Sequence, residues 1–113
     1  MLQNTLDAAK QLSEQGIEAT VLRLLNLSDF GTEEIAGHLC QNAPVIVVEE
    51  TCTGSGIREA MAWELRKLLP SLRVEGLDLG RSFVPHGSLK ELYRHCGLDA
   101  QSIAAFVREV LSD

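Results

Sequence analysis

The spacing of apolar positions changes from segment to segment along the chain. Leu2, Leu6, Ala9 and Leu12 recur at three- and four-residue steps, the period of an amphipathic helix. Gly16 is placed to end that helix, because glycine adopts the left-handed conformation at little cost. Ile17 to Leu25 is mostly apolar, with Val21, Leu22, Leu24 and Leu25, and reads as a strand. After a loop from Leu27 to Gly31, Thr32 is suited to cap a second helix. Glu33 and Glu34 follow in the first turn, where the helix dipole favours acids, and the helix is expected to reach Leu39 or Cys40. Pro44 to Glu50 contains the unbroken run Val45-Ile46-Val47-Val48, the pattern of a parallel strand covered on both faces.

A loop with Gly54, Ser55 and Gly56 precedes a third helix. That helix carries Ile57, Ala60, Met61, Leu65, Leu68 and Leu69 on one side and stops at Pro70. Trp63 lies off this stripe and faces partly outward, either into an interface or against a neighbouring helix. Leu72 to Leu77 is a further strand. Ser88 and Glu91 have capping-box spacing, Leu89, Leu92, Tyr93 and Cys96 give the following helix an apolar face, and Gly97 ends it. Asp99 is placed to cap a last helix. Its apolar positions Ile103, Phe106, Val107, Val110 and Leu111 follow helical spacing closely, with Phe106 central.

Helices and strands alternate, so the expected fold is one α/β domain over residues 1–113. It is a three-layer α/β/α arrangement with a small, mostly parallel sheet and right-handed crossovers. Such units normally open with a strand, whereas this pattern opens inside a helix, so a first strand is missing from it. The Pro44–Glu50 strand is then expected to keep a bare apolar edge. Such an edge invites pairing with a second copy or another chain.

With 113 residues and 45% hydrophobic content the chain can bury a real core. A net charge of −6 disfavours nucleic acid and anionic membranes as partners. No apolar run approaches the roughly 20 residues of a membrane helix. Met1 to Lys10 lacks the features of a secretion signal. The three cysteines, Cys40, Cys52 and Cys96, are odd in number and widely spaced, which points to reduced thiols and a cytoplasmic location.

The candidate chemistry is sparse. Glu49 and Glu50 stand at the carboxyl end of the expected central strand, where ligands of open α/β sheets bind. Adjacent strand residues point to opposite faces, so the two do not make a catalytic carboxylate pair. The simpler role is that one acid caps a helix end and the other meets a basic side chain. Gly54-Ser55-Gly56 precedes a helix N-terminus, a place where free amides attract anions or where the chain merely turns. His86 and Gly87 lie in a turn after Pro85, where the histidine serves an interface, a phosphate or only the local backbone. No pair of His and Cys has metal-ligand spacing: His38 and Cys40 diverge by about 200° on a helix. Cys52 has no histidine near it in sequence to activate it as a nucleophile.

Four motifs in this order resemble the transketolase-like, thiamine-diphosphate-dependent enzymes. They are Val47-Val48-Glu49-Glu50, the Gly54/Gly56 pair, the turn Phe83-Val84-Pro85-His86-Gly87-Ser88, and Gly97-Leu98-Asp99-Ala100. The 1-deoxy-D-xylulose-5-phosphate synthase branch is the most similar. Asn26-Leu27-Ser28-Asp29 and Thr51-Cys52-Thr53-Gly54 stand where that branch tends to show Lys-Pro-Leu-Asp and an Asn followed by two glycines. The resemblance implies the C-terminal domain of such an enzyme, an assembly and interface unit of a transferase used in isoprenoid biosynthesis. It also implies that thiamine diphosphate and magnesium sit between other domains, so none is bound by this chain, and that the partners are those domains or subunits. A non-catalytic binding or regulatory module acting alone is the alternative.

Overall fold

The computed structural model describes residues 1–40 and 42–113. The elements are α1 (Leu2–Glu14), α2 (Thr32–Gly37), β1 (Val45–Val48), α3 (Arg58–Leu68), β2 (Val74–Leu77), α4 (Leu89–Cys96) and α5 (Ala100–Ser112). The strands β1 and β2 are parallel, with Val45 beside Val74 and Val48 beside Leu77. Parallel neighbours require a crossover, and α3 supplies it.

Side-chain alternation along β1 divides the core in two. Val45 and Val47 face a cluster of Ile35, Met61 and Leu65 from α2 and α3, which Val74 joins from β2. Val48 faces the opposite way, with Leu77, onto Ala8, Leu12, Ile103 and Ala104 of α1 and α5. Helices therefore cover both faces of the sheet, as the α/β/α pattern requires.

The helix ends follow local chemistry. Gly16 sits at φ 83° just past α1, and Gly97 at φ 75° ends α4. Ser88 Oγ accepts from the Glu91 amide while Glu91 Oε2 accepts from the Ser88 amide, completing the capping box. α2 is shorter than its pattern suggests. Gly31, at φ 69°, is its N-cap and Thr32 its first helical residue, while the His38 and Leu39 amides turn back to Ile35 and Ala36 in tight three-residue steps. Asp99 holds the N-cap position of α5, but its side chain makes no capping bond.

Two expectations are corrected. Ile17 to Leu25 forms no strand. Its apolar residues suit one, but a strand exists only through lateral hydrogen bonds, and here no neighbour supplies them. Ile17 packs on the α1/α5 cluster and Leu24 on the α2/α3 cluster, so the segment passes from one face of the sheet to the other. Phe106 is only half-buried, and the buried positions of α5 are Ile103, Ala104 and Val110. α1 and α5 run side by side in the same direction, since Asn4 Nδ2 donates to the Leu98 carbonyl at 3.0 Å and Arg108 Nη1 donates to Gln15 Oε1 at 3.0 Å. Ala8 and Ala104 allow that close approach, and Phe106 lies to the side of it.

Arg73 ties the end of α5 to β2. Its guanidinium donates to Glu75, to the Val110 carbonyl and to Asp113 at 2.9, 3.0 and 3.0 Å. The hydrogen bonds to Glu75 and then Asp113 raise its pKa above the ordinary arginine value.

Candidate functional site

The carboxyl ends of β1 and β2 gather the polar groups that the sequence singled out. Glu49 and Glu50 separate there, as strand alternation demands. Glu49 Oε2 accepts from the Ile57 amide at 2.9 Å, so a carboxylate of the chain itself holds the start of α3. Gly56 makes this possible, because a Cβ at that position would collide with the Glu49 carboxylate. Gly54 turns the chain at φ 87°, and Ser55 Oγ donates to the Cys52 carbonyl at 2.7 Å. The Gly-Ser-Gly loop thus directs an internal acid into the helix N-terminus that an anion would otherwise use.

A second group forms around Asp78, the residue that follows β2. Asp78 Oδ1 accepts from Thr53 Oγ1 at 2.8 Å and from the Gly80 amide at 2.9 Å. Its Oδ2 lies 3.7 Å from Arg58 Nη1. The Arg58 side chain crosses the surface of Gly76, whose missing Cβ gives it room. Asp78, Thr53 and Arg58 are absent from the candidates read from the sequence. The available signal was position: an acid directly after a parallel strand stands where loop and helix groups converge.

Glu50 faces the α4 side, where it accepts from Tyr93 Oη at 2.5 Å and lies 3.7 Å from the N-terminal ammonium. The hydrogen bond to Glu50 is the main cause of a raised Tyr93 pKa, with desolvation and the carboxylate's charge adding to it. Glu50→Gln is therefore expected to move the phenol titration down, toward the ordinary value near 10, in an ultraviolet pH titration. The phenol is favoured in the folded state, so this contribution to stability is present below about pH 10 and is lost as pH rises past the raised value. An unchanged titration would remove Glu50 as the cause.

Beyond β2 an open cleft of about 280 Å³ is lined by Leu77, Asp78, Gly80, Phe83, Val84 and Cys96, among others. Every residue from Arg81 to Glu91 is exposed, and Phe83 is fully so. His86 and Gly87 belong to this exposed run and are not brought to the Glu49 or Asp78 groups. Trp63 is 70% exposed, with the Lys67 ammonium 5.6 Å from its ring centre. The cysteines are free thiols. Among the described residues no cluster of three or more His, Cys, Asp or Glu is arranged to hold a metal, and no helix is long and apolar enough to cross a membrane.

This arrangement has counterparts among known proteins. The family model described as "Transketolase, C-terminal domain" matches residues 1–103. A 1-deoxy-D-xylulose-5-phosphate synthase from Gloeobacter violaceus is 34% identical over 115 residues, covering 99% of this chain and 18% of that protein. The enzyme of the same name from Chlorobaculum tepidum is 28% identical over 113 residues, covering 100% of this chain and 18% of its own length. The chain thus spans less than a fifth of the curated relatives it matches. Among solved structures, one described as "Split gene transketolase, inactive beta4 tetramer" superposes with a TM-score of 0.77 at 24% identity, covering 97% of this chain and 34% of that one. A parallel pair of strands between two helical layers, acids at the strand ends and a family match over nearly the whole length agree: the chain belongs to the transketolase C-terminal domain family.

Proposed function

We propose that this chain is an assembly and interface domain of a thiamine-diphosphate-dependent transferase of the 1-deoxy-D-xylulose-5-phosphate synthase type. It acts in the cytoplasm and has no turnover of its own. The complete enzyme condenses a two-carbon unit from pyruvate with an aldose phosphate. The observation that carries the reading is the exposed run Arg81–Glu91, which presents Phe83, Val84 and Leu89 to solvent in a chain of this family. Exposed aromatic and aliphatic side chains grouped beside a cleft mark an interaction surface. His86 and Gly87 belong to that surface, while Glu49, Gly54, Ser55 and Gly56 shape the loop beside it.

The strand-end residues do not fit thiamine diphosphate. A diphosphate needs donors and a bridging cation. The charged oxygens there are the carboxylates of Glu49, Glu50 and Asp78, while the donors are already engaged: Thr53 Oγ1 and the Arg58 guanidinium by Asp78, Ser55 Oγ by the Cys52 carbonyl, and the Ile57 amide by Glu49. The cofactor and magnesium belong to the other domains of the enzyme, and the chain's contribution is to hold those domains in place.

The test is reconstitution with a polypeptide that carries the cofactor-binding domains. Added chain is expected to raise turnover of pyruvate with an aldose phosphate, and Phe83→Asp is expected to weaken the association at least tenfold. Calorimetric titration of the chain alone with thiamine diphosphate and magnesium is expected to be silent. Saturable micromolar binding by the isolated chain, or no response to the added domains, would overturn the proposal.

A further inference from the structure

Resting on the interface role given above, we propose that the exposed stretch Arg81–His95 docks on an acidic protein surface of the enzyme's other domains, with Phe83 as its apolar anchor. Arg81, Lys90 and Arg94 are the charges that steer it there.

Charge is unevenly spread along the chain. Arg81, Lys90 and Arg94 are set against a single acid in this stretch, Glu91, so it carries +2 with histidines neutral, while the rest of a chain of net charge −6 carries −8. Glu91 itself already accepts from the Ser88 amide in the capping box. The three cations are exposed, and among the described residues none of them makes an ion pair. Arg58, Lys67 and Arg73, outside the stretch, are each paired with a carboxylate.

The fold puts the unpaired cations beside the apolar surface. Lys90 and Arg94 stand one turn apart on α4, both exposed, and Arg81 precedes Phe83 by two residues. Phe83 and Val84 line the cleft of about 280 Å³ together with His95 at the end of α4, so the turn and the helix present one surface. An apolar anchor with charges beside it is the layout of a protein interface, where the aromatic side chain supplies affinity and the rim charges set the rate of encounter.

The same charges choose the occupant. Nucleic acid or an anionic bilayer would also meet the −8 carried by the remaining residues, whereas a folded domain can set its acids opposite this stretch alone. A second copy brings its own net charge of −6 and is repelled. In a curated relative the matched region is 18% of the length, and the domains it would meet make up the rest.

The probe is the polypeptide carrying the cofactor-binding domains, immobilised, with association and dissociation of the full chain followed by surface plasmon resonance. Measurements are made in 0.1 M and 1 M sodium chloride, between which the screening length falls from about 10 Å to about 3 Å. The association rate is expected to fall at least tenfold over that range. At the lower salt Arg81→Glu is expected to slow association at least fivefold, and Lys90→Glu with Arg94→Glu at least tenfold, with dissociation little changed. Arg23→Glu, the same change of charge on an exposed residue elsewhere, is expected to stay within twofold of the unaltered chain. Phe83→Ala is expected to act the other way, speeding dissociation and sparing association. Arg81 lies outside every helix, so its variant decides alone should the α4 variant not fold. Arg81→Glu and Arg23→Glu with equal effects, or with none, would overturn the proposal while leaving the interface role in place if Phe83→Ala still weakens binding. No association by the unaltered chain would sink both. Binding to phosphatidylglycerol vesicles, or self-association of the free chain, that is lost in Arg81→Glu would also overturn it, since a membrane or a second copy would then take the surface.

Discussion

Leu65→Ala is expected to lower the unfolding free energy by about 3 kcal/mol, read as a shift of the urea midpoint at constant slope. Leu65 is 0% exposed and sits among Ile35, Val47 and Met61, where α2 and α3 meet the sheet. Removing its branched end strips apolar contact and leaves a cavity that residues fixed on three different elements cannot close. A small domain has a total stability of only about 5–15 kcal/mol, so the loss is a large share of it. Trp63→Ala on the same helix provides the contrast. That ring is mostly in water, and a change within about 0.5 kcal/mol is expected. Equal losses at the two positions would mean that α3 docks through a different face.

Gly56→Ala is expected to cost about 2 kcal/mol, although a glycine-to-alanine change at a compatible backbone angle usually stabilises by restricting the unfolded chain. The new Cβ would occupy the space of the Glu49 carboxylate and push it off the Ile57 amide. A partly buried amide that loses a charged acceptor keeps part of the cost of its lost hydration. Glu49→Ala removes the same bond directly. The two changes should therefore be strongly non-additive: the double variant is expected to be little worse than either single one in a thermal or urea cycle. Simple additivity would show that Gly56 acts through its backbone angles and not by admitting Glu49.

Much of the fold was readable from local chemistry. The Ser88–Glu91 box, the glycines after α1 and α4 and the β-branched run of β1 each depend on neighbours within a few residues. That is the range over which spacing carries information. The separation of Glu49 from Glu50 was readable for the same reason, since it follows from the two-residue repeat of a strand. Ile17–Leu25 was not, because composition states what a strand tolerates while the ladder depends on a neighbour elsewhere in the fold. Phe106 was misjudged because five apolar positions make a stripe wider than one contact. The small pair Ala8 and Ala104, 96 residues apart in the numbering, decides which part of the stripe is covered. The Thr53–Asp78–Arg58 group joins three segments by side-chain contacts alone, and nothing in the spacing of those residues announces it.

The packing of α1 against α5 has a consequence for the order in which this protein is made. α1 is synthesised well before α5, so Ala8 and Leu12 lack the cover of Ile103 and Ala104 until those residues have been made. At about 5–20 residues per second α1 waits several seconds for its neighbour. Contacts between distant parts of a chain also close slowly once the chain is complete. The other half-core, built by α2, β1 and α3 within Thr32–Leu68, draws on a much shorter stretch and is the part able to settle first. While the residues between α1 and α5 are being made, α1 is an amphipathic helix without its partner, a natural substrate for a chaperone.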